Sequence, residues 1–436
     1  MSISTSHHVL ALPFGIALSC CCFAATTLAA DWPQWRGEHR DGTWNETGLV
    51  KTFAAPVTTP LWSVPISAGY SQPTVAQGRV FLTDRLEQQD QERVHCFDAN
   101  TGDVLWRHVY DCDYKKIGYD AGPRAAVIVQ DGLAYSLGTM GDLFCLDAAS
   151  GAVIWSHDLY TTYDVQMPVW GLSASPLIEG DLIIVEAAGR RATLVAFDRK
   201  TGREVWTSLA SKANYSSPIV VDQAGRRVLV LWVHGSVLGI DPANGKLLWE
   251  VDYASTKMPL GVATPIVHGD YLFFTGFYDG SLLVKLNQDQ PSASKVWRRK
   301  GSSERKTDAL HSIISTPVIL GDYIYGADSY GELRCLELMT GDRVWEDQTA
   351  VPNGRWATIH FVQNGATTWM LNEQGDLIIA ELSQEGFKEI SRTRVIETTG
   401  RQSPKLRDVC WAAPAYADRK LYVRNDEKLV CIDLAE

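Results

Sequence analysis

The chain has 436 residues, with 40 Lys and Arg against 51 Asp and Glu, a net charge of −11. At 45 % hydrophobic and 21 % charged residues it has an ordinary globular composition, which excludes a wholly disordered chain. The acidic balance, without a basic run, excludes broad contact with nucleic acid.

Residues 1–30 read as a signal peptide. Val9 to Leu18 is an apolar stretch too short to cross a bilayer, and the small-residue run Ala24 to Ala30 offers cleavage after Ala30. The leader carries His7 and His8 but no Lys or Arg, and neither Cys20 nor Cys21 has the flanking residues of a lipid-attachment site. The expectation is an exported protein, periplasmic, envelope-associated or extracellular, without a lipid anchor. No later segment reaches 18 apolar residues, so the mature chain reads as soluble, with no transmembrane segment. A short Trp-rich segment, 31–59, precedes the main domain, 60–436, and is expected to pack on it.

From residue 60 onward one pattern recurs: an acidic residue, three variable positions, Gly, then Trp four residues later. Its copies are Asp98, Gly102 and Trp106; Asp147, Gly151 and Trp155; Asp198, Gly202 and Trp206; Asp241, Gly245 and Trp249; and Glu337, Gly341 and Trp345. Trp297 follows an expanded turn and Gly386 lacks its Trp, while Trp62 stands on a Trp strand with no turn before it. From Trp62 to Trp345 the tryptophans recur every 43–51 residues. Each unit opens on a Pro motif and a Gly-Asp hairpin, as in Ser175-Pro176, Thr264-Pro265 and Thr316-Pro317. Apolar runs of four to six, rich in Val, Ile, Tyr and Phe, read as strands joined by tight turns.

Four strands per unit of 40–50 residues point to an all-β fold, a β-propeller of four-stranded blades. Blades start at Pro73, near Arg124, and at Pro176, Pro218, Pro265, Pro317, Thr358 and Pro414, which makes eight. The last blade ends before any Trp strand, so the orphan strand Pro60 to Val64 is expected to complete it and close the ring. In each turn the Asp and Thr side chains bond backbone amides, Gly takes the left-handed position, and Trp packs against the next blade. Cys96, Cys145, Cys335 and Cys431 share one repeat position, held elsewhere by Ala196 or Gly239, and read as small buried side chains. Cys112 and Cys410 lie in connecting loops, and their pairing stays open.

This repeat resembles the pyrroloquinoline quinone (PQQ)-like β-propeller family. The opening Asp31-Trp-Pro-Gln-Trp-Arg-Gly37, with Gly122-Pro-Arg-Ala125 and Trp170-Gly-Leu-Ser-Ala-Ser-Pro176, is similar to its exported, BamB-like branch. The resemblance implies a non-catalytic scaffold that binds an envelope protein or peptide segment, acting as a monomer. The same family includes quinoprotein dehydrogenases, so the alternative is an alcohol or sugar dehydrogenase holding PQQ with Ca²⁺ and using an external electron acceptor. Those enzymes usually carry a vicinal disulfide, whereas the adjacent cysteines here, Cys20 to Cys22, fall in the leader. No hydrolase, nucleotide-binding or haem-attachment motif appears. The reading is therefore no catalytic residue, no metal site and no cofactor.

Binding is expected on the face that gathers the long loops 107–122, 156–172, 298–314 and 391–410. They bring Tyr119, Arg124, Trp170, Tyr215, His311, Arg355 and Trp411 toward the mouth of the axial funnel. Aromatic rings with Arg and His suit a planar anion, a peptide strand or a structural rim, and the sequence leaves these open.

Overall fold

The computed structural model describes residues 1–4, 30–258, 260–404 and 406–436. The apolar leader stretch lies outside the described residues. Eight four-stranded antiparallel sheets follow one another around a ring. Seven are consecutive, from Thr74–Asp111 in blade 1 to Ile359–Arg394 in blade 7. The eighth combines Ala415–Ala417, Lys420–Arg424 and Lys428–Asp433 with the early strand Trp62–Pro65. That strand pairs in register Trp62 to Cys431 and Pro65 to Lys428. The ring thus closes as the orphan Trp strand requires.

The recurring motif is an inter-blade lock. Asp98 Oδ1 accepts the amides of Asn100 at 2.8 Å and Thr101 at 3.0 Å, and Asp198 Oδ1 accepts that of Thr201 at 2.9 Å. These bonds fold the turn so that its Gly, at φ +72 to +77° from blades 1 to 4, lies flat on the Trp of the preceding blade. An added methyl on Gly151 would stand 2.6 Å from Trp106. The Trp in turn donates Nε1–H to a carbonyl of the next turn: Trp62 to Ala99, Trp106 to Ala148, Trp155 to Arg199 and Trp206 to Pro242, each at 3.1 Å. Five of the seven Trp-strand indoles are buried, while Trp297 and Trp345 are half-buried. At about 25 cal/mol per Å² over roughly 150–250 Å², each buried indole contributes on the order of 4–6 kcal/mol before entropy.

The shared cysteine position lies directly across the sheet from the Trp: Cys96 faces Trp106, Cys145 faces Trp155, Cys335 faces Trp345 and Cys431 faces Trp62. A small side chain is needed there, and at Gly239 an added methyl would collide with Trp249 at 2.0 Å. All six cysteines from Cys96 onward are free and buried. Cys112 and Cys410 do not pair: the first thiol faces Asp142 Oδ2 at 3.8 Å and the second the Arg424 carbonyl at 3.2 Å.

The Trp-rich segment crosses the ring axis rather than following the rim. Trp32 bridges to Val75 in blade 1, and the Pro33 carbonyl accepts from Val129 in blade 2 at 2.8 Å. Arg40 Nη1 donates to the Pro176 carbonyl of blade 3 at 2.8 Å, and Trp35 Nε1 to Thr264 Oγ1 beside blade 5 at 2.8 Å. Trp44 N reaches Gln363 O of blade 7 at 2.8 Å, and its ring lies 4.9 Å from Tyr416 of blade 8. Six blades are thereby tied together at the hairpin end of the channel. No helix among the described residues is long and apolar enough to cross a membrane.

Candidate functional site

The segment entering each blade runs along the axis before its first strand begins, and these eight entries line the channel. A ring of equivalent residues, two before the start of most first strands, forms its waist: Gln72, Ala126, Ser175, Ser217, Thr264, Thr316, His360 and Ala413. Hydroxyls in this ring accept amides from the neighbouring blade. Ala126 N donates to Ser175 Oγ at 3.0 Å, Ser175 N to Ser217 Oγ at 2.9 Å and Thr264 N to Thr316 Oγ1 at 3.1 Å. The Ser/Thr-Pro motifs of the sequence therefore stitch the blades at the axis.

On the loop side of the waist lies a cavity of about 140 Å³. Trp35 lines it from the N-terminal segment, and Tyr70, Tyr119, Trp170, Tyr215, Trp356 and Trp411 give it aromatic walls. Tyr119 bridges the mouth: its ring centroid is 5.8 Å from Trp170, 5.4 Å from Trp356 and 6.1 Å from Trp411. It sits in the left-handed region, φ +56°, a conformation that a bulky residue adopts only when surrounding contacts hold it. Arg124 supplies such a hold. Its guanidinium donates to the carbonyls of Gly118 at 3.1 Å, Gly122 at 2.5 Å and Tyr119, and lies 4.9 Å over the Tyr70 ring.

Of the seven loop-face residues expected at the funnel, Tyr119, Arg124, Trp170, Tyr215 and Trp411 line this cavity. His311 and Arg355 do not. His311 is fully buried between blades, with Nδ1 on the Phe277 carbonyl at 2.9 Å and Nε2 accepting the Gly301 amide at 3.0 Å. Desolvation holds its pKa below the ordinary imidazole value. Arg355 stacks on the outside of Trp356 at 4.4 Å and forks onto Glu304 at 2.8 and 3.0 Å. A second fork, Arg407 on Glu373 at 2.7 and 2.8 Å, fixes the carboxylate that accepts Trp411 Nε1–H at 3.0 Å.

Sequence reasoning missed Trp35, Ser175, Ser217 and His360 as cavity residues. The serines carried a signal, the hydroxyl just before each Pro. His360 Nε2 lies 2.9 Å from the Trp411 carbonyl, so the proton resides on Nε2 and the lone pair on Nδ1. Burial brings the pKa of this histidine down to about 4, leaving it neutral at physiological pH.

The donor set does not fit a quinone tricarboxylate with its calcium ion. The cavity lining holds no Asp, Glu, Asn or Gln, and its guanidinium is committed to backbone carbonyls. No cluster of three His, Cys, Asp or Glu with metal-holding geometry occurs among the described residues.

A family profile described as outer membrane protein assembly factor BamB matches residues 90–347. The outer membrane protein assembly factor BamB of Moranella endobia is 26 % identical over 267 residues, 59 % of this chain and 64 % of that protein. The chain therefore spans somewhat less than two thirds of that relative. Among solved structures, BamB from Moraxella catarrhalis superposes with a TM-score of 0.57 at 18 % identity, over 86 % of this chain and all of that one. Quinohaemoprotein alcohol dehydrogenase from Comamonas testosteroni superposes with a TM-score of 0.66 at 12 % identity, over 93 % of this chain and 80 % of that one. At those identities the two structures speak to the fold alone.

Proposed function

This chain belongs to the BamB-like branch of the PQQ-like β-propeller family, and from that premise we propose that it is an exported, non-catalytic scaffold of the cell envelope. It docks a protein or peptide segment on its loop face. The observation that carries this reading is a set of exposed apolar side chains on that face. Tyr160, Val169, Met258 and Leu406 are each 37–53 % exposed, and all stand on connections between an outer strand and the next blade. Apolar side chains presented on long loops around a rigid ring suit a partner interface. The carboxylate-free lining of the axial cavity supports a binding role over cofactor chemistry.

The test is photo-crosslinking in the intact envelope from probes placed at Val169, Met258 and Leu406, with Gly180 on the opposite hairpin face as control. One discrete protein adduct from the loop-face probes, absent from the control, is the expected result. Calcium-dependent PQQ binding by the purified chain, with turnover of an alcohol or aldose, would overturn the proposal.

A further inference from the structure

We propose that the axial cavity is a binding site for a small, uncharged, hydroxylated single-ring aromatic compound of the phenol class. The inference does not depend on protein docking at the rim, because the cavity lies inside the ring between Tyr119 and Trp35.

Size sets the first limit. A cavity of about 140 Å³ is comparable to the apolar cavity of about 150 Å³ that accommodates one benzene ring in an engineered protein. Shape and wall chemistry set the second. Trp170 and Tyr215 lie tilted by 34° with centroids 4.9 Å apart, and the rings of Trp356 and Trp411 lie 6.5 Å apart. These rings, with Val262 and Ile313, present faces and edges to an aromatic guest, an arrangement that adds about 0.5–1.5 kcal/mol per ring pair to simple burial.

Charge sets the third limit. A cation would lose its hydration without gaining a partner, because no carboxylate lines the cavity among the described residues, and an anion would have to compete with the three carbonyls that Arg124 already serves.

The hydroxyl follows from the waist. Ser175 and Ser217 are 2 % and 5 % exposed. Each oxygen accepts an amide from its neighbour at 2.9–3.0 Å, which leaves each O–H free to donate. His360, 8 % exposed, spends Nε2–H on the Trp411 carbonyl, and its Nδ1 lone pair has no partner among the described residues. Free O–H donors on blades 3 and 4 and a free acceptor on blade 7, all lining the waist end of an aromatic cavity, match a group that both donates and accepts. A phenolic hydroxyl does both, whereas an ether accepts only.

The test is calorimetric titration of the folded, full-length mature chain with phenol, cyclohexanol and benzoate at pH 7. Saturable 1:1 binding of phenol with a Kd of about 0.1–1 mM is expected for a ligand of this size. Cyclohexanol and benzoate are expected to bind at least tenfold more weakly. Val262→Phe, which fills the cavity from its half-buried edge, should abolish the phenol signal. Ser217→Ala should weaken it about three- to tenfold, the worth of one hydrogen bond. Thermal unfolding reports whether each variant is folded, and either folded variant alone suffices as a test. No saturable phenol binding, equal binding of cyclohexanol or benzoate, or unchanged affinity in folded Val262→Phe would each overturn the proposal. A chain that binds phenol yet yields no envelope adduct would retain this site and lose only the scaffold function.

Discussion

The indole of Trp249 donates its Nε1–H to the side-chain oxygen of Gln223, 2.9 Å away, where the other six strand tryptophans donate to a backbone oxygen of the next blade. The cause is local. Blade 5 carries an expanded turn with no Gly to lie on the indole, so Gln223 bridges the gap, its amide reaching the carbonyls of Asn287 at 3.2 Å and Ser292 at 2.7 Å. Gln223→Ala strands a buried indole donor and the Asn287 carbonyl together, while the Ser292 carbonyl keeps the Asn287 amide at 2.9 Å. A loss of about 1–3 kcal/mol in urea unfolding is expected; an unchanged midpoint would mean that water replaces the bridge.

Gly151 and Gly132 separate backbone strain from packing. Both are left-handed, at φ +73° and +77°, but an added methyl meets Trp106 at 2.6 Å on Gly151 and nothing within 4 Å on Gly132. Each alanine substitution costs about 1–2 kcal/mol for the left-handed backbone. Gly151→Ala should cost a further 1–3 kcal/mol or so for displacing the indole. Equal losses measured by chemical denaturation would remove the turn glycine from the inter-blade lock.

Glu186 is a buried carboxyl whose Oε1 accepts the Asn214 backbone amide at 3.1 Å while Oε2 has no partner among the described residues. Burial raises its pKa to about 8, against an ordinary value near 4.5. Between those values the folded state keeps a proton that the unfolded chain gives up, so stability falls as pH rises through that window and levels off above it. The slope for one proton is at most about 1.4 kcal/mol per pH unit. Glu186→Gln should flatten the decline between pH 5 and 8, read as the difference between the two stability–pH curves. Parallel curves would show that the carboxyl ionises freely in the fold.

Arg424 secures the closing seam. Fully buried, it donates to the Thr83 carbonyl of blade 1 at 2.8 Å and to Ser67, just past the closing strand, at 2.5 Å. Arg424→Met leaves the Ser67 carbonyl without its donor and the Thr83 carbonyl with Ser71 Oγ–H alone, at 3.0 Å, at the one junction held by chain ends. The expected cost is on the order of 2–4 kcal/mol, with faster proteolysis near residues 60–70. Protection there equal to that of the parent chain would refute the assignment.

The blades were legible because their signal is local: turn, Gly and Trp fall within nine residues, and spacing alone counts them. The closing strand was legible by subtraction, since one Trp strand lacked a blade and one blade lacked a Trp strand. The channel was legible only where loop residues abut a blade start, as for Tyr119, Arg124, Trp170, Tyr215 and Trp411. His311 shares their residue chemistry, but its direction is set by Phe277 and Gly301, partners that no spacing reveals. Trp35 was beyond reach for a similar reason: its partner, Thr264, lies 229 residues away. His360 occupies a waist position where four blades carry Ser or Thr, and a departure from a hydroxyl pattern shows only after the blades have been superposed.

The pairing of Trp62 with Cys431 dictates when this protein can finish folding. A chain emerging from the N-terminal side can build blades 1 to 7 in turn, each against its predecessor. The strand that begins the domain must nonetheless wait, with one hydrogen-bonding edge bare, until the last ten residues arrive. Closing so long a loop is entropically slow though only modestly more costly than closing a short one. Throughout synthesis blade 1 and blade 7 each show an unprotected flank to whatever is nearby. Any cellular factor that attends this chain during maturation has its natural target there, on a surface that the finished ring no longer possesses.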